Sequence, residues 1–114
     1  MTEEDFRRTF AEHGYKSGFL RLVLLKLISG RPCHGYELMK SIERATDGEW
    51  HPSPGSVYPA LQELEGKGLV ECRESGRKRV YAITPRGEEL LEQGTEHMRA
   101  AMRHIRNLLL DEEE

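Results

Sequence analysis

The polar residues with the clearest chemical use lie on one predicted helix within residues 50–70. Apolar residues at positions i, i+3, i+4 and i+7 form a stripe for a core: Val57, Ala60, Leu61 and Leu64. Gly55, Pro59, Gln62 and Gly66 lie opposite the stripe, with Ser56, Tyr58 and Glu63 beside them. This face has little long charge at its N-terminal end, and its Ser and Gln side chains both donate and accept hydrogen bonds. It is suited to close approach to a polar partner, such as the major groove of DNA.

The prolines make the first residue of this helix ambiguous. Ser53 followed by Pro54 is a favourable N-terminal pair, and Ser56 offers a second N-cap one turn later. Pro59 would cost about 3 kcal/mol in a helix interior because it lacks an N–H and clashes one turn back. We therefore expect the regular helix to begin near Gly55 or Ser56, where Pro59 falls in the early part of the helix. A start at Pro54 with a local bend is the alternative.

Three further helices are expected to precede and support this one. Thr2 and Asp5 form a capping pair for a short helix over residues 3–13 that carries Phe6 and Phe10. Residues 19–28 are apolar around most of the helical wheel, which predicts the central buried helix, with a strand as the alternative. Residues 34–46 predict an amphipathic helix, and five of its residues are expected to face the core: Tyr36, Leu38, Met39, Ile42 and Ala45.

After the glycine at 68 the periodicity changes from helical to alternating. Residues 69–73 and 79–83 read as two strands around a turn at Ser75 and Gly76, which predicts a β-hairpin. Three cations lie at its tip: Arg77, Lys78 and Arg79. A cationic tip of this kind is suited to contact with phosphate groups.

A long helix is expected from the Thr84-Pro85 N-terminal signal to about Leu110. Its small and apolar residues recur in three seven-residue ranks: Leu91, Met98 and Ile105; Gly94, Ala101 and Leu108; and Thr95, Met102 and Leu109. This seam could pack on the chain's own core. At about 1.5 Å per residue, however, the helix is roughly 40 Å long, too long for so small a domain to cover. A helix from a second chain would bury the remainder.

The composition is that of one small domain. The chain has 114 residues and a net charge of −3, but residues 15–86 carry 12 Lys and Arg against 8 Asp and Glu, so the middle is mildly basic and the ends are acidic. A middle surface could therefore meet phosphates despite the negative total. No apolar run approaches the roughly 18 residues of a membrane helix, and residues 1–8 are acidic where a signal peptide would be basic, so we expect a cytoplasmic protein with no membrane partner.

Enzyme and metal chemistry find no support in the sequence. No nucleophile and base are suitably placed, and the acidic pairs read as solvated helix surfaces, so no catalytic residues are predicted. The five histidines show no recognised ligand spacing, so no metal site and no cofactor are predicted. Cys33 and Cys72 are expected to be reduced thiols, and a redox switch or a metal-responsive regulator is the minor alternative.

Four motifs give the chain a family resemblance. Residues 34–38 read HGYEL, 52–61 read PSPGSVYPAL, 64–70 read LEGKGLV, and 79–84 read RVYAIT. Together they resemble the PadR family of transcriptional regulators over roughly residues 19–90. The resemblance implies a homodimeric winged-helix repressor that binds a near-palindromic double-stranded DNA operator and often releases it on binding a small-molecule effector.

The resemblance also implies roles for single residues. It puts Ser53, Ser56, Tyr58 and Gln62 at the groove, and His34 and Tyr36 near a phosphate. The single C-terminal helix is similar to that of the short subfamily, whose dimer is made by this helix and the N-terminal one. The residues expected at that interface are Phe6, Phe10, Leu91, Met98, Ala101, Met102, Ile105, Leu108 and Leu109.

The expected fold is mainly α with a small β-hairpin, a winged helix-turn-helix. Its parts are an N-terminal helix (1–14), a DNA-binding domain (15–84), a C-terminal dimerisation helix (85–110) and an acidic tail (111–114). The sequence predicts a sequence-specific DNA-binding transcriptional regulator. The alternative is a winged-helix module that contacts only proteins.

Overall fold

The computed structural model describes residues 2–5 and 18–111. Residues 3–5 are helical, and the expected capping pair is present: the Asp5 N–H donates to Thr2 Oγ1 at 3.1 Å and the Thr2 N–H to Asp5 Oδ2 at 3.3 Å. The expectations for Phe6 and Phe10 lie outside the described residues. No helix among the described residues is both long enough and apolar enough to span a membrane.

Four helices and three strands follow in the described chain from residue 18 onward. The helices are α1 (Gly18–Gly30), α2 (Gly35–Ala45), α3 (Pro54–Gly66) and α4 (Pro85–Leu110). The strands are β1 (Cys33–His34), β2 (Val70–Ser75) and β3 (Lys78–Ile83), which form an antiparallel sheet in the order β1-β3-β2. The predicted fold class, a mainly helical winged helix-turn-helix, is confirmed.

The core lies where α1, α2, α3 and the sheet meet. The expected central helix is α1, and its Leu24, Leu25 and Ile28 are at most 1% exposed. The predicted stripe of α3 is also buried in full: Val57, Ala60, Leu61 and Leu64. Trp50 closes one edge of this core, with its ring 5.8 Å from that of Phe19.

Two details of α2 differ from the expectation. Tyr36 and Ala45 were expected to face the core, but both are exposed, Tyr36 to 60%. The helix begins at Gly35, directly after β1, and it buries Leu38 and Ile42. The residues before it form strand β1, which the sequence did not predict: Cys33 pairs with Tyr81 and His34 with Val80, along the edge of β3 that β2 does not occupy.

The start of α3 also differs from the expectation. The helix begins at Pro54 with Ser53 as its N-cap, so Pro59 lies inside the helix rather than in its first four residues. The alternative start is therefore the observed one. The Pro54 ring is compatible with the first helical position because that residue needs no intrahelical donor. Pro59 is exposed. Because it has no N–H, it cannot donate to the carbonyl four residues earlier, and at an exposed position water can bond to that carbonyl instead.

The end of α3 ties the helix to the hairpin and to α4. The Gly68 N–H donates to Glu65 O at 3.0 Å and the Leu69 N–H to Leu64 O at 2.9 Å, the two bonds of a Schellman C-terminal motif. Thr84, the N-cap of α4, donates from its hydroxyl to Gly68 O at 2.7 Å and from its N–H to Leu69 O at 3.1 Å. The end of α3 and the start of α4 are thus held at a fixed distance.

The hairpin turn falls one residue later than expected. Ser75 pairs with Lys78, so the two-residue turn is Gly76 and Arg77. Gly76 has φ +65, as hairpin turns of this length require. The three cations of the predicted tip lie in the turn and the first two residues of β3, and all three are exposed.

Candidate nucleic-acid interface

The exposed face of α3 carries the residues expected to read DNA. Ser53, Ser56, Tyr58 and Gln62 lie on this face, with Tyr58 exposed to 41%. The Ser53 hydroxyl makes no hydrogen bond to the helix backbone and instead donates to Ser56 Oγ at 3.3 Å. This face therefore presents hydroxyl and amide groups to its surroundings without long charged side chains at its N-terminal end.

His34 and Glu37 form a capping box at the start of α2. The Glu37 N–H donates to His34 Nδ1 at 3.2 Å, and the His34 N–H donates to Glu37 Oε1 at 3.0 Å. That backbone bond is the main reason that the pKa of Glu37 lies below its usual value, with the nearby Arg31 and Lys78 adding to the shift. Because its Nδ1 accepts, a neutral His34 carries its proton on Nε2.

Tyr58 of α3 crosses the start of α2 through close contact with Gly35. A Cβ atom on residue 35 would lie 2.5 Å from Tyr58 Cε1 and 2.9 Å from its hydroxyl oxygen. Glycine is therefore the residue that allows the aromatic ring to occupy this position. The contact brings the polar face of α3 beside the N-terminus of α2.

A cleft of about 660 Å³ joins this contact to the hairpin. Its lining comprises His34, Gly35, Tyr36, Glu37, Tyr58, Arg77, Lys78 and Arg79. The first N–H groups of α2 have no acceptor within the helix, and a helix N-terminus favours negative charge. Six of the nine residues expected to bind DNA border this cleft, which combines helix N–H groups with hairpin cations. The other three, Ser53, Ser56 and Gln62, lie on the exposed face of α3.

The seam of α4 changes in exposure along its length. Leu91, Met98 and Ala101 are half-buried, and Gly94 packs so closely on α1 that a Cβ there would lie 2.8 Å from Leu22 Cδ1. Beyond them the remaining seam residues are exposed: Met102 by 56%, Ile105 by 54%, Leu108 by 81% and Leu109 by 75%. Among the residues that the structure describes, the first part of the seam is covered by this chain and the last part is not.

The two cysteines lie on either side of Tyr81. Cys33 pairs with Tyr81 across one edge of β3 and Cys72 pairs with it across the other. Strands two apart are separated by about 9–10 Å, which exceeds the span of a disulfide. Burial raises the pKa of the Cys33 thiol. An intrachain disulfide switch is therefore incompatible with this sheet.

Metal binding gains no support from the geometry. Among residues 2–5 and 18–111, no three His, Cys, Asp or Glu side chains converge as they would around a metal ion.

Sequence reasoning missed two contacts that shape the interface. The role of Gly35 in accommodating Tyr58 depends on tertiary packing, and its only sequence signal is a glycine at a helix start. The capping box was readable, since Glu37 follows His34 by three residues, but histidine is an uncommon N-cap.

Comparison with known proteins places this geometry in a family. Residues 24–93 match the profile described as the transcriptional regulator PadR-like family. The transcriptional regulator YqjI of Escherichia coli K12 is 42% identical over 93 residues, which cover 81% of this chain but 43% of that protein. The chain thus spans less than half the length of that curated relative.

Two further proteins are similar over nearly their whole length. The transcriptional regulator Rv3488 of Mycobacterium tuberculosis is 32% identical over 99 residues, which cover 83% of this chain and 87% of that one. The crystal structure of TA0346 from Thermoplasma acidophilum aligns with a TM-score of 0.70 at 34% identity, covering 85% of this chain and 95% of that one.

Proposed function

Because this chain belongs to the PadR-like family of transcriptional regulators, whose members are not enzymes, we propose that it is a homodimer that binds double-stranded DNA in a sequence-specific manner. Helix α3 enters the major groove, and the β2–β3 hairpin acts as a wing that contacts the flanking backbone. The observation that carries this proposal is the cleft in which the N-terminus of α2, Tyr58 of α3 and the hairpin cations meet.

Phosphate binding is assigned to the cleft. Apart from the Glu37 N–H, which donates to His34, the first N–H groups of α2 have no acceptor within the helix. These groups and the partial positive charge of the helix N-terminus favour a phosphate oxygen. A neutral His34 can donate from Nε2, and the hydroxyl groups of Tyr36 and Tyr58 supply further donors. Arg77 and Lys78 add positive charge from the wing.

Base recognition is assigned to the exposed face of α3. Ser53 and Ser56 lie at its first turn, and Gln62 lies two turns further on. Glutamine pairs with the adenine edge in the major groove through two hydrogen bonds, whereas serine tolerates several bases. Gln62 is thus the residue expected to contribute most to sequence preference.

The dimer is assigned to the uncovered part of the α4 seam. Met102, Ile105, Leu108 and Leu109 present apolar surface that a second copy of α4 would bury. Two α3 helices related by the dimer axis would enter successive major grooves about 34 Å apart, on a near-palindromic operator. The position of α4 relative to α3 sets that spacing.

Repression and release by a small molecule complete the proposal. A dimer that occupies an operator beside a promoter would block transcription.

An apolar cleft of about 380 Å³ lies among α1, α3 and α4, with Leu22, Leu64 and Met98 in its lining. A ligand there would change the angle between α3 and α4 and so weaken DNA binding. Anilinonaphthalene sulfonate, an aromatic anion that binds apolar clefts, should bind the dimer and lower its DNA affinity. Binding without such an effect would argue against release through this cleft.

The deciding experiment is a mobility-shift titration with the DNA directly upstream of the chain's own coding sequence. We expect retarded complexes at lower protein concentration than with a shuffled duplex of the same composition. A reporter gene behind the same DNA then tests the direction of regulation, and higher expression in the presence of the protein would contradict repression. No binding to any duplex would leave a protein-interaction module as the better description.

Gln62→Ala tests base reading directly. The variant should lose about 1–3 kcal/mol of preference for the specific over the shuffled duplex. Gln93→Ala, an exposed glutamine on α4, is the matched control and should leave the preference unchanged. An equal loss of affinity for both duplexes would show that Gln62 does not read a base.

A further inference from the structure

The side chain of Arg79 lies on the opposite face of the β2–β3 hairpin from that of its neighbour Lys78. Successive side chains of a strand point to opposite faces of the sheet. Arg79 therefore shares a face with Tyr81, which is 2% exposed and pairs with Cys72. That face packs against α3 and the core, whereas Lys78 lies on the other face with Val80 and its partner His34.

The guanidinium of Arg79 is already engaged by two groups. Its Nε donates to Cys72 Sγ at 3.2 Å, and its Nη2 lies 3.7 Å from Glu65 Oε1 on α3. Cys72 belongs to β2, Arg79 to β3 and Glu65 to α3, so one side chain links three elements. Within the described part of the chain, Arg77 and Lys78 make no ion pair of this kind.

We propose that Arg79 is a positioning residue, which holds the wing against α3 through Cys72 and Glu65 so that Arg77 and Lys78 reach the DNA backbone. The inference rests on the proposed DNA-binding function. It separates the three wing cations, which look equivalent in the sequence, into two that meet phosphate and one that fixes the angle of the hairpin.

Salt dependence distinguishes the two roles. The slope of log K against log salt is negative, and removing one phosphate interaction reduces its magnitude by about 0.9. A loss of positioning changes affinity without removing a counterion. Binding to the upstream duplex should therefore be measured over a range of salt concentrations for Arg79→Gln and for Arg77→Gln. We expect Arg79→Gln to weaken binding a few-fold with the wild-type slope, because DNA binding then has to order the loosened hairpin but Arg77 and Lys78 still reach phosphate in the complex. We expect Arg77→Gln to reduce the magnitude of the slope.

Glu65→Gln gives a second test, because the positioning role and simple charge repulsion predict opposite changes in DNA affinity. Removing an acidic group near DNA ordinarily strengthens binding, but Glu65→Gln should weaken it a few-fold because Arg79 no longer has its carboxylate partner. The double variant should bind no more weakly than either single variant, since both remove the same link. Glu71→Gln, an exposed acid on β2, is the matched control and should not weaken binding.

Arg79→Lys keeps the charge but loses the fork that reaches two partners at once. It should bind as weakly as Arg79→Gln if Arg79 positions the wing, and close to wild type if Arg79 serves as a point charge for phosphate.

Hydrogen exchange without DNA tests the inference independently of the proposed function. Arg79→Gln and Glu65→Gln should each speed exchange of the β2 and β3 amides, and Arg77→Gln should not. Unchanged exchange in the first two variants would overturn the inference, as would a slope reduced by Arg79→Gln or binding strengthened by Glu65→Gln. Failure of the wild-type protein to bind any duplex would count against the proposed function alone, because the exchange result would still stand.

Discussion

Leu61 on α3 and Leu108 on α4 are the same residue type on helices of one chain, yet Leu61 is fully buried and Leu108 is 81% exposed. The region before Thr84, which we call the reading half, supplies every buried apolar side chain of the core that the structure describes, with Leu91 of α4 packed against its edge. The part of α4 from Met102 to the helix end, which we call the distal seam, has the same apolar pattern but is left exposed by the described residues. The periodicity of a helix thus shows which face is apolar, and only the number of neighbouring elements shows whether one chain can bury it.

The largest expected effect comes from placing charge in the distal seam. Met102→Asp combined with Ile105→Asp should convert the proposed dimer to monomers, because each carboxylate buried without a partner costs several kcal/mol and the twofold axis doubles their number. We expect the dimer to weaken by at least about 1000-fold, or roughly 4 kcal/mol, in sedimentation velocity.

The matched control places the same charges at exposed positions of α4 that are not part of the seam. Gln93→Asp with His104→Asp alters two exposed residues outside the seam and should leave the dimer intact. An unchanged dimer in the seam variant would show that the distal seam is not the interface between copies, and the contrast with the reading half would need another explanation.

A cavity in the reading half should have the next largest effect. Leu61→Ala should lower the free energy of unfolding by about 2–5 kcal/mol, because the site is enclosed and cannot collapse fully. Leu108→Ala should cost little in the same assay. Urea denaturation of both variants in the monomeric seam background removes any contribution from association. Equal losses would mean that the distal seam packs on its own chain.

The sequence predicted the parts of this contrast that depend on periodicity. The α3 stripe and the seam of α4 follow directly from the spacing of apolar residues, and the Thr84 cap from the residue types at its N-terminus. The prediction that Tyr36 faces the core was wrong. Its position fits the apolar stripe of the helix, but a tyrosine ring can also lie at the surface with its hydroxyl in water. Strand β1 was missed because two residues carry no periodicity, and its pairing to β3 depends on tertiary contact.

The proposed DNA-binding site was predictable as a set of residue types but not as an arrangement. Serines and glutamine on one helix face and cations near a glycine turn were visible in the sequence. The contact between Gly35 and Tyr58 and the engagement of Arg79 by Glu65 join residues far apart in the chain. Local patterns do not encode which of several exposed charges finds a partner.

The junction between the reading half and the start of α4 offers a smaller, more local effect. Gly87 in the first turn of α4 lies against the end of α3, and a Cβ there would be 2.1 Å from Leu69 O. Gly87→Ala should lower the free energy of unfolding by about 1–3 kcal/mol, since a backbone carbonyl must move. Because the same carbonyl accepts from the Thr84 N–H, the change should also weaken DNA binding by the dimer.

Gly66→Ala is the control for this junction. A Cβ on Gly66 would meet no atom within 4 Å, so the change should leave stability unchanged or raise it slightly. A Gly87→Ala variant as stable as wild type would mean that α4 shifts freely relative to the reading half. Chemical denaturation measures the loss of stability in Gly87→Ala, and the salt-independent part of the DNA affinity measures the weakening of DNA binding.

The smallest expected effect concerns the capping box of α2, which belongs wholly to the reading half. The pKa of Glu37 is lowered chiefly by the His34 N–H, so its carboxylate stabilises the folded state above the ordinary carboxyl range. This stabilisation is lost as the pH falls through the lowered pKa. Glu37→Gln should therefore be less stable than wild type near neutral pH and approach it under acid.

Denaturation midpoints measured from neutral pH to about pH 3 check this convergence, since that range spans the titration of carboxyl groups. Glu92→Gln, an exposed acid on α4 outside the seam, should run parallel to wild type throughout. The same convergence is expected in the monomeric seam background, because the capping box makes no use of a second chain. A dependence of the Glu37 effect on association would instead show that the dimer reaches the start of α2 and that the two regions are coupled.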